Sequence, residues 1–133
     1  MKRPTDEPRT EAQLSAITAN YLRSLAIPFN IDVLAGVKLT IRQGAMAKKQ
    51  GKTKSWPDIS IAVARHGYHG LYIEQKKWGE RVFKVRSPNE YANDHILKQA
   101  LMLHRLESEG YKAVFAVGWV ETKWIIDNYL SVA

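Results

Sequence analysis

Cysteine is absent from this chain of 133 residues, which removes disulfides, thiolate zinc sites and a cysteine nucleophile together. An intracellular, cytoplasmic setting is expected on that ground. No apolar run approaches the roughly 18 residues needed to span a bilayer, and the start Met1-Lys2-Arg3-Pro4-Thr5-Asp6-Glu7 lacks the apolar centre of a signal peptide. A soluble, unprocessed protein is expected. Internal repeats, linkers and low-complexity segments are also missing, so the length fits one domain with one core. Histidine is scarce, and His66, His69, His95 and His104 show no tight ligand spacing, which favours turn and surface roles over zinc binding.

Acidic residues are scarce where they would matter most. Residues 1–57 carry ten Lys/Arg against four Asp/Glu, whereas 58–133 carry ten against nine. Lys38, Arg42, Lys48, Lys49, Lys52 and Lys54 lie between Val37 and Trp56 with no acidic residue in that segment. A second basic stretch holds Lys77, Arg81, Lys84 and Arg86 against Glu80. Such runs fit either a solvated loop or a surface for a polyanion.

Residues 1–9 hold two prolines and mixed charges, and a flexible terminus is expected there, ahead of a single domain over 10–133. Thr10 and Gln13 have the spacing of a capping box, predicting a helix to about Leu25 with Leu14, Ile17, Tyr21 and Leu25 on its inward stripe. Short strands are expected over Phe29 to Leu34 and Val37 to Ile41, then a basic connection with a helical turn around Ala45 to Lys49. Asp58 to Ala64 and Leu71 to Lys77 read as a hairpin about His66 to Gly70. After an irregular stretch from Trp78 to Asn89, a helix from near Asn93 carries Ile96, Ala100, Leu103 and Leu106 on one stripe and ends at Gly110. Gln99 sits on that same stripe. Tyr111 to Val117 reads as a buried strand, and Glu121 to Leu130 as a last helix packing through Trp124, Ile125 and Tyr129. For Trp78, Trp119 and Trp124, packing in the core or a dimer is favoured over stacking on bases. The order is helix, three or four strands, helix, strand, helix.

The chemistry concentrates at Pro57-Asp58, followed after fifteen residues by Glu74-Gln75-Lys76. Glu74 and Lys76 are two apart, so on a strand they share one face while Leu71 and Ile73 take the other. Asp58, near the open end of the hairpin, can meet them across the ladder. Two carboxylates and a phosphate suit a hard divalent cation, and such an ion beside a lysine can activate water against a phosphodiester. A salt-bridged strand pair is the plainer reading of the same triad. Glu11 borders the inward stripe of the first helix, where it either favours the helix dipole or supplies a further ligand for metal or water.

With these residues in place, the chain resembles the virus-type replication-repair nuclease (VRR-NUC) domain of the PD-(D/E)XK nuclease superfamily. The likeness runs from Glu11 to about Leu130. It includes Glu11, the basic connection ending in Trp56-Pro57-Asp58, the stretch Tyr68-His69-Gly70-Leu71-Tyr72-Ile73-Glu74-Gln75-Lys76, Gln99, and Leu106 with Glu109-Gly110-Tyr111-Lys112-Ala113-Val114. Trp56 stands where relatives often have glycine, and the segment from Lys76 to Gln99 is longer than usual, differences that bear on substrate preference.

The resemblance implies an α/β restriction-endonuclease-like core, with a central mixed sheet whose β-hairpin carries the site and flanking helices in the order α-β-β-β-α-β-α. It implies that Asp58 and Glu74 hold Mg²⁺ or Mn²⁺ with the Gln75 carbonyl as a further ligand. Lys76 would orient the attacking water and Gln99 support the site, with Glu11 as the extra acidic residue. Stand-alone members of this kind are typically phage or prophage proteins that form homodimers and cut branched DNA, including four-way (Holliday) junctions, leaving a 5′-phosphate. Competing expectations are a flap or nonspecific DNA nuclease and a DNA-binding protein of the same fold that does not cut.

Overall fold

The computed structural model describes residues 2–32 and 38–132. Its element order is α1 (Glu11–Ser24), β1 (Phe29–Ile31), α2 (Ile41–Lys49), β2 (Ile59–Ile61), β3 (Leu71–Lys76), α3 (Asp94–Ser108), β4 (Lys112–Val117) and α4 (Gly118–Leu130). One mixed sheet runs β1-β2-β3-β4. Its first two pairings are antiparallel, and β3 and β4, joined through α3, run parallel. Among the described residues no helix is long and apolar enough to cross a membrane.

Local sequence sets most of these elements. The Thr10 hydroxyl accepts from the Gln13 backbone N–H at 3.1 Å, and the Gln13 side chain accepts in return from the Thr10 N–H. That reciprocal bond starts α1 as its spacing predicts. The helix turns Leu14, Thr18 and Leu22 fully inward, with Ile17, Tyr21 and Leu25 half-buried beside them. His66 and Gly67 both have positive φ, the conformation that a tight hairpin connection needs, and they return the chain from β2 to β3. Asn93 caps α3 through the Ile96 N–H at 2.9 Å, and Gly110, at φ 95°, closes its far end. Ile96, Gln99, Ala100, Leu103 and Leu106 are buried along α3, the stripe expected from spacing.

The sheet divides two cores. Ile59, Ile61, Leu71 and Ile73 pack with Leu22, Ile125, Ile126 and Tyr129 on the side of α1 and α4. Leu103, Leu106 and Ala113, with Tyr72 and Tyr111 beside them, fill the α3 side.

Four expectations change. Val37, the first residue of the strand predicted from Val37 to Ile41, lies outside the described residues, as do positions 33 and 34, the last two of the Phe29 to Leu34 strand. Ile41 opens helix α2 instead of closing a strand, because Thr40 and Gln43 form a second capping box. The helical turn near Ala45 is therefore a helix of nine residues. Trp124, expected to pack inward, is 66% exposed, and Ile126 takes the inward position next to Ile125.

The fourth change concerns the terminal segment 1–9, expected to be frayed. Glu7 is buried and accepts from the backbone N–H groups of Trp119 at 2.6 Å and Val120 at 3.1 Å. Val117, at the N-cap of α4, has no side chain that can accept from the first turn. A distant carboxylate fills that role at the positive end of the helix. Gly118 leaves the room: its φ is +85°, and a Cβ there would lie 2.7 Å from Glu7 Oε1. We expect Glu7→Ala to destabilise the protein by about 1.5–3 kcal/mol through loss of two charge-assisted bonds, read as a lower midpoint in urea. An unchanged midpoint would show that the contact contributes nothing.

Candidate active site

Strand register brings the key carboxylates together. Ile59 pairs with Ile73, so extending the antiparallel ladder by one residue sets Asp58 opposite Glu74, on one face of the sheet. Asp58 is tied to both neighbouring strands. Its carbonyl accepts from the Asp32 N–H, and its Oδ2 accepts from the Gln75 N–H, each at 2.8 Å. Glu74 and Lys76 project to the α3 side, with Lys76 Nζ 3.7 Å from Glu74 Oε1. From α3, Gln99 donates its Nε2 to the same Oε1 at 2.8 Å. Glu74, Lys76 and Gln99 are all buried.

Gln75 faces the opposite side of the strand. Its Nε2 donates to the hydroxyls of Thr18 at 2.9 Å and Thr122 at 3.1 Å, which themselves donate to carbonyls one turn back in α1 and α4. Both helices are thereby pinned behind the strand that carries the site. The two threonines escaped the sequence reading, although Thr18 lies four residues from both Leu14 and Leu22, on their stripe.

The electrostatics of the pair are strained. Burial, then the neighbouring Asp58 charge, push the Glu74 carboxyl up to about 9, with Lys76 opposing the rise. Burial also raises Asp58, against the pull of the Gln75 N–H. Glu74 Oε2 and Gln99 Oε1 are buried without a hydrogen-bond partner. Two adjacent carboxylates with an orphaned oxygen require either a shared proton or a cation. A hard divalent ion fits this all-oxygen donor set.

Asp58, Glu74, Gln75, Lys76, Glu11 and Gln99 line one open cleft of about 280 Å³. Glu11 reaches it from the first turn of α1 and is exposed. Among the described residues no three His, Cys, Asp or Glu side chains form a ready ligand cluster, so Glu11 stands at the rim and does not complete a triad with the two carboxyls. Glu80 is a further acidic neighbour that the sequence reading passed over. Its carboxyl is raised by burial, with Lys76 lowering it and Glu11 raising it. The signal was its place as the lone acid in the basic stretch 77–86.

The basic residues divide by position. Lys52, Lys54 and Lys77 line the cleft, as do Trp56 and His95. Arg42, Lys48 and Lys49 are exposed on α2, with Lys38 just before it; Arg81, Lys84 and Arg86 are exposed on the connection from β3 to α3. Lys52 is not unpaired, because Asp32 at the end of β1 meets it at 2.7 Å. Lys84 likewise meets Glu90 at 2.8 Å. Trp119 and Trp78 are half-buried, the former edge-on to Tyr21.

No family model matches the sequence, and no curated protein matches it either. The three-dimensional comparison is informative where those are silent. A solved structure named "VRR_NUC domain protein" aligns with 92% of this chain and 89% of its own, at a TM-score of 0.66 and 27% sequence identity. The four-stranded mixed sheet, the flanking helices and the hairpin bearing Asp58, Glu74 and Lys76 agree with the PD-(D/E)XK architecture. By fold, and over nearly its whole length, the chain is similar to a VRR-NUC domain.

Proposed function

We propose that the chain is a divalent-metal-dependent endodeoxyribonuclease that hydrolyses phosphodiester bonds in branched DNA, in the manner of a Holliday-junction resolvase. VRR-NUC domains are nuclease domains, and DNA is the substrate that follows. One observation carries the metal-dependent reading: the buried carboxyl of Glu74 and the half-buried carboxyl of Asp58 adjoin each other next to the Lys76 ammonium, in a cleft edged by Lys52, Lys54 and Lys77. A salt bridge kept only for stability would not leave Glu74 Oε2 unpartnered beside a second carboxyl.

In this proposal Asp58 and Glu74 would hold Mg²⁺ or Mn²⁺, with the Gln75 carbonyl as a further ligand and Glu11, at the rim of the cleft, reaching the ion through a water. When bound, the cation lowers the pKa of an attacking water and offsets charge on the phosphate. The chain's own residues prepare the rest. Gln99 and Lys76 both hold the Glu74 carboxyl through Oε1. The Gln75 N–H holds Asp58 in place. Lys76 orients the nucleophile and donates where negative charge grows on the phosphoryl oxygens. Lysines and arginines outside the carboxyl pair bind phosphates without reading sequence. A homodimer would relate two sites by a twofold axis and allow paired incisions across a symmetric junction. If the chain is phage-encoded, its workplace is the cytoplasm of the bacterial host.

Labelled four-way junction, flap and linear duplex, each incubated with Mg²⁺, Mn²⁺ or chelator, test the assignment. Metal-dependent nicks with 5′-phosphate ends, strongest on the junction, are expected. Equal cutting of all three would make it a nonspecific nuclease, and no cutting of any would leave a DNA-binding protein of this fold. The basic rim also predicts affinity that falls steeply with salt, about 10³-fold or more between 50 and 200 mM if six or more phosphates are contacted. Affinity indifferent to ionic strength would remove the lysines and arginines from the interface.

A further inference from the structure

Helix α2 contributes nothing to either core. None of its nine residues is buried, yet its apolar side chains are not sparse: Ile41 is 96% exposed and Met46 52% exposed. Beside it runs a groove of about 810 Å³ whose wall includes Ile41, Gly44, Ala45, Ala47 and Lys48. The volume lies in the range, roughly 300–1,000 Å³, that accepts a small ligand. Lys52, Thr53 and Lys54 line both this groove and the cleft that holds Asp58 and Glu74. The two hollows therefore adjoin along one basic edge.

Gly44 adds an independent signal. It sits in the interior of α2, where glycine disfavours a helix relative to alanine. Its backbone does not call for glycine, and a Cβ built there meets nothing within 4 Å. Among the described residues nothing packs over Gly44, and the open space there lets a ligand come against the helix backbone.

Resting on the nuclease reading above, we propose that this groove receives an unpaired nucleotide of the DNA substrate, on a single strand leaving the cleft. Small and apolar residues give a base a flat surface to lie against, while Lys48, Lys52 and Lys54 face the phosphates that follow. The segment between Val37 and Trp56 has six basic residues and no acidic one, a charge that suits a polyanion and opposes a second copy of the same surface. The groove thereby selects branched or tailed DNA over continuous duplex, which keeps its bases stacked.

The test uses fluorescein-labelled duplex with and without a single-stranded tail, in chelator so that nothing is cut, with wild-type protein, Gly44→Gln and Lys48→Ala. Wild type should bind the tailed DNA more tightly than the blunt one. Gly44→Gln, which narrows the groove without changing charge, should lower that preference severalfold, leave the salt slope alone, and keep or raise Tm. Lys48→Ala should weaken binding to the tail and make the salt slope shallower by about one. A Gly44→Gln protein with the full wild-type preference would overturn the groove assignment. So would wild type that binds and cuts DNA but favours blunt ends, and that result leaves the nuclease reading standing. If wild type bound neither DNA, the nuclease reading would fail along with the groove. Loss of a dimer in Gly44→Gln, seen by sedimentation, would assign the surface to a second copy and also overturn the proposal.

Discussion

Asp58→Asn and Glu74→Gln should each reduce DNA cleavage by at least about 10³-fold while DNA affinity in chelator stays near that of wild type. In the proposed site, removing one of the two carboxylates forfeits several kcal/mol of stabilisation of phosphoryl charge, at about 1.4 kcal/mol for each factor of ten. Neither substitution breaks the local scaffold. An asparagine at 58 can still accept from the Gln75 N–H, and a glutamine at 74 can still accept from Gln99. Affinity persists because phosphate contacts come from the basic rim. Single-turnover cleavage of the preferred substrate and titration of the same DNA in chelator measure the two quantities separately. Cleavage by either variant within about tenfold of wild type would remove these carboxyls from the reaction. Loss of affinity in step with activity would instead make them part of the binding surface.

The metal-free protein should lose stability as pH rises from about 5 to about 9. An unfolded chain releases the Glu74 proton near 4.5, whereas the folded protein keeps it until about 9. Between those values the folded state binds more protons than the unfolded one, so the free energy of unfolding falls with pH. The contribution is complete below the lower value and gone above the higher one. Asp58 shifts in the same direction and adds to the slope. At pH 7 the penalty on Glu74 is on the order of 3 kcal/mol, and Glu74→Gln should recover most of it and flatten the profile. Mg²⁺ or Mn²⁺ should raise the wild-type Tm more at pH 8 than at pH 5, since the ion replaces a proton. Chemical denaturation across this range, with and without metal, is the measurement. A flat metal-free profile would show that the two carboxyls do not crowd each other in solution.

Much of this site was legible one residue at a time. Pro57-Asp58 and Glu74-Gln75-Lys76 lie on a hairpin whose turn and alternation are local, and a period of two puts Glu74 and Lys76 on one face whatever surrounds them. Helical periodicity put Gln99 on the apolar stripe of α3, but its place at the site was suggested only by the family resemblance; in the fold it meets Glu74 Oε1. The connection between β1 and β2 was less legible. Thr40 and Gln43 form the same type of cap as Thr10 and Gln13, but the apolar residues before them also suit a strand, and short apolar runs do not separate the two. Glu7 was out of reach of such reasoning, because its partners at Trp119 and Val120 lie more than a hundred residues away.

Sequence by itself determined the helices that cap themselves, the hairpin, and the pairing of two carboxylates and a lysine on neighbouring strands, because each depends on spacing over a few residues. Tertiary structure decided what those groups experience. Burial against α3 raises Glu74, Asp32 claims Lys52, Thr18 and Thr122 pin Gln75, and α2 stands free beside the cleft. Solvent exclusion and charge proximity arise from segments distant in the chain, so no local pattern encodes them.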